Sequence, residues 1–341
     1  MLAPMLDKPG KRAPSIVWED NMKNWICLAV ASALVLGTGA ASPAMAELKR
    51  LEIVAPAAPG GGYDQNARIM QSIFQKKGLA SGIQVENAPG AGGTIGLANF
   101  VNKNKRNPSV LMVGLALVGA VLTNKSVVSL DDTYPLARLS GEYQPIVVAP
   151  DSPLKTLDDL VAKLKADPGS VSWGGSGPGS SDHILYGLLA KAAGVDPKKI
   201  NYVVLTSGGE MLSGVMGGHV TVGTGGYSEL SSQIKTGQVR ALGIASPERL
   251  PGVDIPTFRE QGYDVSFVNW RAVVSSADPK GQERAELEAA VAEMVKTEEW
   301  KQTIGERGWQ DIYMPPAEFA AFLKEEQARV QALFKDLGLI Q

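Results

Sequence analysis

The placement of glycine is the feature that most constrains what this chain can fold into. Five short windows hold 18 of its 38 glycines, at residues 60–62, 90–96, 174–179, 208–209 and 217–226. Each window adjoins a short apolar segment with the character of a β-strand. Glycine at the end of a strand lets the backbone approach a ligand closely, and the N–H groups that open the next helix attract anions. Because ligands of open parallel sheets bind beyond the carboxyl ends of the strands, the five windows together predict a shared cleft.

The segments around the windows predict an α/β protein. Short apolar segments such as 51–55 and 110–113 indicate strands, and amphipathic segments such as 181–193 indicate helices. Two polar amphipathic helices are expected near the C-terminus, at about 284–297 and 316–337. Strands that alternate with helices predict parallel sheets built from right-handed crossover units.

The charge balance and the scarcity of histidine and cysteine argue against several functions. The chain carries 33 basic and 35 acidic residues, so no basic field would attract nucleic acid. With only two histidines, His183 and His219, and one cysteine, the chain can hardly build a multi-histidine metal site. We therefore expect no nucleic-acid partner, no metal and no cofactor.

The glycine windows lack the motifs of common enzymes. None carries Lys or Arg, which excludes a phosphate-binding loop, and an anion would be held largely by backbone amides, hydroxyls and helix dipoles. The dinucleotide fingerprint fails at Ser180, and the nucleophile elbow around Ser176 fails at Pro178. Ser181 and His183 resemble parts of a hydrolase triad, although residues so close on a helix start point in different directions. We expect no catalytic residue, and an exported hydrolase or transferase that uses Ser181 and His183 remains an alternative.

Residues 1–46 are interpreted as an N-terminal extension followed by a signal peptide, Met22–Ala46. Lys23 supplies the positive charge, and residues 26–36 form an apolar run shorter than the ~20 residues of a spanning helix. Ala44-Met45-Ala46 matches the small-x-small cleavage pattern. This pattern predicts export to the periplasm.

Longer motifs resemble the solute receptors of tripartite tricarboxylate transporters, the TctC or Bug family. The motifs are APGGGYDQNAR from Ala58, VENAPGAGGTIG from Val85, VSWGGSGPGSSDHI from Val171, SGGE from Ser207 and NWRAVV from Asn269. They follow one another along the mature chain, so the resemblance is more specific than any single loop. The YDQNAR and SSDH variants are most similar to the tricarboxylate branch of the family, rather than to the amino-acid-binding branch.

The resemblance implies a fold and a function. The fold is a two-domain α/β periplasmic-binding-protein architecture (type II-like), with residues 47–147 and 272–341 in domain 1 and residues 148–271 in domain 2. The function is capture of a small di- or tricarboxylate, such as citrate, between the domains and its delivery to the transmembrane permease of the transporter. Such a receptor is expected to be a monomer and not an enzyme. A carboxylate sensor for a signalling partner is a further alternative, because no docking motif is recognisable.

The ligand is expected to contact the glycine windows, the polar residues beside them and one arginine. The predicted ligand-binding residues are Gly61, Gly62, Tyr63, Asp64, Gly92, Gly93, Ser176, Gly177, Ser180, Ser181, His183, Thr206, Ser207, Gly208, Gly225 and Arg271.

Four of these residues have specific expected roles. Asp64 is expected to cap its own helix and fix the loop, since its charge would repel an anion, and Arg68 is expected to pair with it. Ser180 and Ser181 are expected to combine N-capping with contact to the carboxylate, with N-capping alone as the alternative for either one. Arg271 is the candidate cationic contact.

The signal-peptide pattern predicts that the exported protein is cleaved after Ala46, so that its first residue is Glu47. Intact-mass measurement on protein from the periplasmic fraction checks this prediction. A mature species that begins at or before Met22 would contradict it.

Overall fold

The computed structural model describes residues 48–103, 107–205, 207–276 and 281–341. The predicted signal peptide, Met22–Ala46, lies outside the described residues. The strands are β1 Leu48–Lys49, β2 Glu52–Ala55, β3 Ala80–Ser81, β4 Gln84–Asn87, β5 Ser109–Gly114, β6 Thr133–Tyr143, β7 Pro145–Val148, β8 Ser172–Gly175, β9 Asn201–Val204, β10 Val222–Thr224, β11 Arg240–Ile244, β12 Val268–Ser276 and β13 Gln310–Met314.

Helices follow the ends of most of these strands. They are α1 Gly62–Lys77, α2 Thr94–Asn102, α3 Leu115–Thr123, α4 Leu157–Ala166, α5 Ser181–Ala192, α6 Gly208–Met216, α7 Tyr227–Lys235, α8 Gly281–Lys296, α9 Glu298–Arg307 and α10 Pro316–Asp336. None of these described helices combines the length and the apolar character that crossing a bilayer requires.

The strands form one six-stranded and one five-stranded sheet, beside a small pair made of β1 and β3. The six-stranded sheet has the order β13-β6-β12-β5-β2-β4, and the five-stranded sheet has the order β11-β7-β10-β8-β9. In the first sheet β2 pairs in parallel with β4 and β5, and in the second β8 pairs in parallel with β9 and β10. The predicted α/β fold is confirmed.

The expected parallel pairing holds for these strands only, because both sheets are mixed. The strand β12 runs antiparallel between β5 and β6, and β7 runs antiparallel between β10 and β11. The reason lies in the connections, because only Gln144 separates β6 from β7. The chain passes there directly from one sheet to the other, with no helical crossover to reverse its direction. The strand β12 brings the chain back into the first sheet.

The two sheets draw on separate parts of the chain. The strands of the six-stranded sheet lie within 52–143 and 268–314, and those of the five-stranded sheet lie within 145–244. The division into two domains, with boundaries at 147/148 and 271/272, stays a prediction.

Trp270 fixes the position of β12 against the long helix α10. Its ring is fully buried and meets Phe319 and Phe322 edge to face, with ring centroids 6.1 and 5.6 Å away. Its Nε1 donates a hydrogen bond of 3.1 Å to Glu326, a buried carboxylate that also pairs with Arg329. Because successive side chains of a strand point to opposite faces, this anchor turns the neighbours of Trp270 to the other side of the sheet.

We predict that Gly119→Ala, in α3, lowers the free energy of unfolding by about 1–3 kcal/mol. A Cβ at Gly119 would lie 2.2 Å from the carbonyl oxygen of Gly179 and 3.0 Å from the ring of Phe334, so the loop after β8 would have to move. Urea denaturation measures the change.

Gly305→Ala, in α9, is the matched control because no atom lies within 4 Å of a Cβ at this helical glycine. The control should raise the free energy of unfolding by about 0.5–1 kcal/mol, the usual gain of alanine over glycine in a helix. Equal effects of the two substitutions would show that the contact between α3 and the loop after β8 is not close.

Candidate functional site

The guanidinium of Arg271 lies beside the starts of two helices. Its Nη1 donates to Asn269 Oδ1 at 2.6 Å and to the carbonyl oxygen of Trp270 at 3.2 Å. A Cβ on Gly62, the first residue of α1, would lie 3.1 Å from Nη2, and one on Gly114, just before α3, would lie 3.3 Å from Nη1. The two glycines therefore leave the space that the guanidinium fills.

One edge of the Arg271 guanidinium is available to a ligand. Within the described part of the chain, no acceptor is hydrogen-bonded to Nε or Nη2, and both atoms lie beside Gly62. The N-cap residues of α1 and α3 are Gly61 and Gly114, which have no side chain that could accept a hydrogen bond. The N–H groups in the first turns of both helices therefore have no capping acceptor from these residues. A guanidinium fork beside two positively polarised helix starts is the arrangement that suits a carboxylate.

Asp64 shapes the loop that leads into α1. Its Oδ2 accepts hydrogen bonds from Gly60 N at 2.8 Å and Arg68 Nε at 3.0 Å, and its Oδ1 accepts one from Asn87 Nδ2 at 2.9 Å. The expected ion pair with Arg68 is confirmed. The helix begins at Gly62, so Asp64 lies in its first turn and is not the N-cap residue.

The carboxylate of Asp64 is 2% exposed, so it faces the protein and not the cleft. Burial alone would raise its pKa, but the hydrogen bonds from Arg68, Gly60 and Asn87 outweigh burial and lower it. Asp64 therefore holds the loop as a stable anion.

Tyr63 supports Arg271 from the side of α1. The guanidinium carbon lies 5.1 Å from the centre of the tyrosine ring, within the range of a cation–π contact. The ring is 8% exposed, and its hydroxyl has no hydrogen-bond partner of normal geometry among the described residues. Burial raises the pKa of Tyr63, against an opposing effect of the Arg271 charge, so the phenol stays neutral.

Arg271 opens into a small cavity lined by the six-stranded sheet, by α1 and by α7. The cavity has a volume of about 20 Å³ and is lined by Gly62, Gln65, Asn66, Ser140, Gly141, Glu142, Ser228, Glu229, Asn269, Arg271 and Trp309. A larger cavity of about 470 Å³ shares Gln65, Ser228 and Glu229 with it and extends past Lys235 and Arg307. The larger volume falls in the range of small-molecule sites.

Asp182 holds the loop that follows β8. Its Oδ2 accepts from the backbone N of Ser176 at 2.9 Å and from the Ser176 hydroxyl at 2.8 Å. Its Oδ1 accepts from Gln144 Nε2 at 2.9 Å and from Ser181 Oγ at 3.4 Å. Since Gln144 is the residue between the two sheets, Asp182 ties this loop to the first crossing of the chain.

Ser180 is the N-cap of α5, as expected, and its hydroxyl accepts a hydrogen bond from the backbone N of His183. The imidazole of His183 stacks on the ring of Tyr202, with the centroids 4.1 Å apart and the planes at 12°. The Nδ1 of His183 accepts a long hydrogen bond of 3.5 Å from Gly179 N. These contacts make His183 a packing residue of the loop.

A catalytic triad around Ser181 is not assembled. The hydroxyl of Ser181 donates to Asp182, while His183 contacts Gly179 and Tyr202. Within the described residues, no hydrogen bond joins Ser181 to His183, which a serine nucleophile requires from its base.

The start of α7 receives a carboxylate from the other sheet. Glu142, on β6, accepts a hydrogen bond of 2.7 Å from the backbone N of Ser228. A Cβ at Gly226 would collide with Glu142, so glycine is needed here for the carboxylate to reach the helix. This helix start is therefore occupied by a protein side chain, unlike those of α1 and α3.

Glu229 lines the small cavity together with Arg271. Its Oε2 would lie 3.4 Å from a Cβ at Gly225 and 3.6 Å from one at Gly208, so the carboxylate rests against two strand-end loops. Glu229 is exposed to solvent, but the protein atoms packed around its carboxylate, with the nearby charge of Glu142, raise its pKa, and Arg271 opposes this shift.

Several predicted site residues are therefore close to one another. Gly62 and Tyr63 contact Arg271, Gly61 precedes Gly62 in the same loop, and Gly208 and Gly225 lie beside Glu229. The loop after β8 contains Ser176, Gly177, Ser180, Ser181 and His183, with Ser176 and Gly177 exposed and Ser181 and His183 buried. Ser207 is the exposed N-cap of α6, and Thr206 lies outside the described residues.

The glycines after β4 have a packing role. Gly92 and Gly93 adopt left-handed backbone angles, with φ of 66° and 98°. A Cβ at Gly92 would lie 2.6 Å from that of Ala120, and one at Gly93 would lie 3.3 Å from Pro56. The structure gives a steric reason for both glycines and brings neither into the cavity beside Arg271.

The last glycine window is not a single strand end, contrary to expectation. Gly217 and Gly218 end α6, and only Gly225 and Gly226 follow β10. Four residues of the site were not predicted from the sequence: Gln144, Glu142, Asn269 and Glu229. Of these, Glu229 had a local signal, because it lies three residues after a glycine pair at a helix start.

Metal ligation finds no support in the described residues, where no group of three or more His, Cys, Asp or Glu side chains is arranged around a common point.

We predict that the protein loses stability between about pH 6.5 and pH 4 through protonation of His183. Burial lowers the pKa of His183 to about 4, while in the unfolded chain it returns to about 6.5. The contribution is fully present above pH 6.5, declines as the pH falls, and is lost below pH 4. The shift corresponds to about 3 kcal/mol, measurable by urea denaturation across this pH range.

His183→Gln should flatten the dependence on pH in this window, and His219→Gln, at the exposed histidine, should leave it unchanged. A slope that survives in His183→Gln would assign the effect to other groups.

Comparison with known proteins is in keeping with this geometry. A family model described as "Tripartite tricarboxylate transporter family receptor" matches residues 67–339. Protein BugT of Bordetella pertussis is 26% identical over 329 residues, covering 91% of this chain and 97% of the relative. A protein of Agrobacterium vitis, encoded in the TAR-I ttuE-ttuC' intergenic region, is 27% identical over 83% of this chain and 82% of its own.

Solved structures show the same fold. A TctC solute-binding protein from Polaromonas has a TM-score of 0.68 at 25% identity, covering 85% of this chain and 99% of its own. The protein MatC of Rhodopseudomonas palustris, solved with bound malate, has a TM-score of 0.71 at 23% identity, covering 84% of this chain and 98% of its own. The match of the family model to most of the chain is decisive. The chain belongs to the family of tripartite tricarboxylate transporter receptors.

Proposed function

We propose that this protein is a periplasmic receptor that binds a small di- or tricarboxylate beside Arg271 and delivers it to the permease of a tripartite tricarboxylate transporter. The observation that carries the proposal is the open Nε and Nη2 edge of Arg271, set against the uncapped starts of α1 and α3. These groups offer a carboxylate two guanidinium donors and several backbone donors in one place.

The cavities fit this role. The small cavity at Arg271 has room for about one water-sized group, such as an oxygen of a carboxylate. The larger cavity that adjoins it provides room for the rest of the ligand. Both are lined by residues that precede Gln144 and by residues of α7, a helix between two strands of the five-stranded sheet, so the ligand would touch both parts of the chain. We infer that the sheets belong to two domains that close on the ligand by a hinge at the two chain crossings.

The chemical class of the ligand follows from the family and from the charge of the site. The family is that of tricarboxylate receptors, and two similar structures carry carboxylates, malate in MatC and adipate in Rpa4515 of R. palustris. Citrate is the first ligand to test.

Binding without turnover is the expected behaviour. Ser181 and His183 are not hydrogen-bonded to each other, so no nucleophile is activated at the loop after β8. The protein is proposed to act as a monomer and to pass its ligand to the permease. If the protein were a sensor for a signalling partner, it would bind its carboxylate at the same site.

We predict that citrate raises the melting temperature by a few degrees at a hundredfold excess over Kd, where binding adds about 2.7 kcal/mol to the free energy of unfolding. A neutral sugar should have no effect, because it offers the guanidinium no charge. Differential scanning fluorimetry with citrate, malate, adipate and glucose measures the shifts, and mass analysis of the recovered ligand tests for turnover.

Arg271→Gln should weaken carboxylate binding at least about thirtyfold, since it removes a charged partner from the site. Arg249→Gln is the matched control, because Arg249 is an exposed arginine that pairs with Glu260 and Asp254 outside both cavities. Isothermal titration calorimetry gives both affinities. Equal binding by the two variants would remove Arg271 from the site.

A further inference from the structure

Three carboxylates lie around the cleft near Arg271: Glu142 on the neighbouring strand β6, and Asp182 and Glu229 on α5 and α7. Glu142 and Asp182 have protein partners, the first accepting from Ser228 N and the second from Ser176 and Gln144. Glu229 differs from both, because no N–H or O–H group of the described residues donates to its carboxylate. Of the three, Glu229 is therefore the one with both acceptor oxygens unused.

Glu229 is also the acidic group placed to meet a ligand. It lines the small cavity with Arg271 and is one of three residues that line the larger cavity too. Its carboxylate rests against the glycines of two strand-end loops, Gly208 and Gly225, where no side chain can shield it. Glu229 is therefore the acidic residue at which the two cavities adjoin.

The charge arrangement imposes a condition on the ligand. A carboxylate of the ligand pairs with the positive charge of Arg271. A second carboxylate directed at Glu229 would instead meet a like charge. A hydroxyl or ammonium group at that position would instead donate a charge-assisted hydrogen bond to Glu229. The donor has to lie close to the first carboxylate, because the cavity between the two side chains is small.

We infer that Glu229 is a specificity-determining residue that selects carboxylates with a hydrogen-bond donor, a hydroxyl or an ammonium group, on the carbon beside the bound carboxylate. This inference rests on the proposed function and narrows it. It favours malate over succinate and citrate over tricarballylate, and it admits aspartate as the ammonium counterpart of malate.

Matched ligands test the inference by calorimetry on the purified protein. Malate, aspartate and succinate differ at a single substituent, which is a hydroxyl, an ammonium group or hydrogen. We expect the wild-type protein to bind malate or aspartate at least about tenfold more tightly than succinate, because a hydrogen bond to a charged group is lost with the donor. Whichever of the two binds more tightly identifies the donor that Glu229 accepts.

Glu229→Gln should reduce this discrimination about fivefold to tenfold, since a neutral amide accepts more weakly and no longer repels succinate. Glu229→Asp, which keeps the charge, should retain part of the discrimination. Glu306→Gln is the control, because Glu306 lines the larger cavity but not the small cavity at Arg271. Circular dichroism and the melting temperature establish that each variant is folded.

The outcomes separate the inference from the proposed function. Binding of malate, aspartate and succinate with equal affinity, or a discrimination that stays within twofold in Glu229→Gln, would overturn the inference and leave the receptor function standing. Failure of the wild-type protein to bind any of these ligands, citrate or tricarballylate would overturn both.

Discussion

The site depends on how β12 is held in its sheet. Trp270 is fixed by the aromatic rings of α10 and by its hydrogen bond to the buried Glu326, and strand alternation then sends Arg271 to the opposite face. On that face the guanidinium fits only because Gly62 and Gly114 lack side chains. A packing interaction on one side of the sheet thus sets the position of the charge on the other.

The two sides of the cleft differ in charge and in how that charge is used. The side of α1 and α3 is positively polarised, with Arg271 between two helix starts that have no capping side chain. The opposite side carries Asp182 and Glu229, and Asp182 holds the loop after β8. Glu142, on the same sheet as Arg271, accepts a hydrogen bond from the start of α7, so this acidic charge too stabilises the protein itself. What remains for a ligand is an asymmetric pair, Arg271 and Glu229.

The sequence predicted the fold best where local signals act. Short apolar segments marked β2 and β5 to within one or two residues, and the amphipathic segment 181–193 marked α5 equally well. The long strands β6 and β12 were missed. Proline, glycine and charged residues interrupt β6, and β12 is buried on both faces, so neither shows the alternation that identifies a strand. Both strands owe their conformation to neighbours that are distant in the chain.

The site was harder to predict than the fold, for a related reason. The windows at Gly62 and Gly92 look alike in the sequence, yet the first adjoins Arg271 and the second packs against Ala120. What a glycine makes room for is decided by the element opposite it, and a single sequence does not reveal that element. The same limit applies to charge: no window carries a basic residue, but β12 supplies one from some two hundred residues away. Glycine placement therefore predicts where backbone and ligand can approach, and the crossing strands determine which charge is there to meet them.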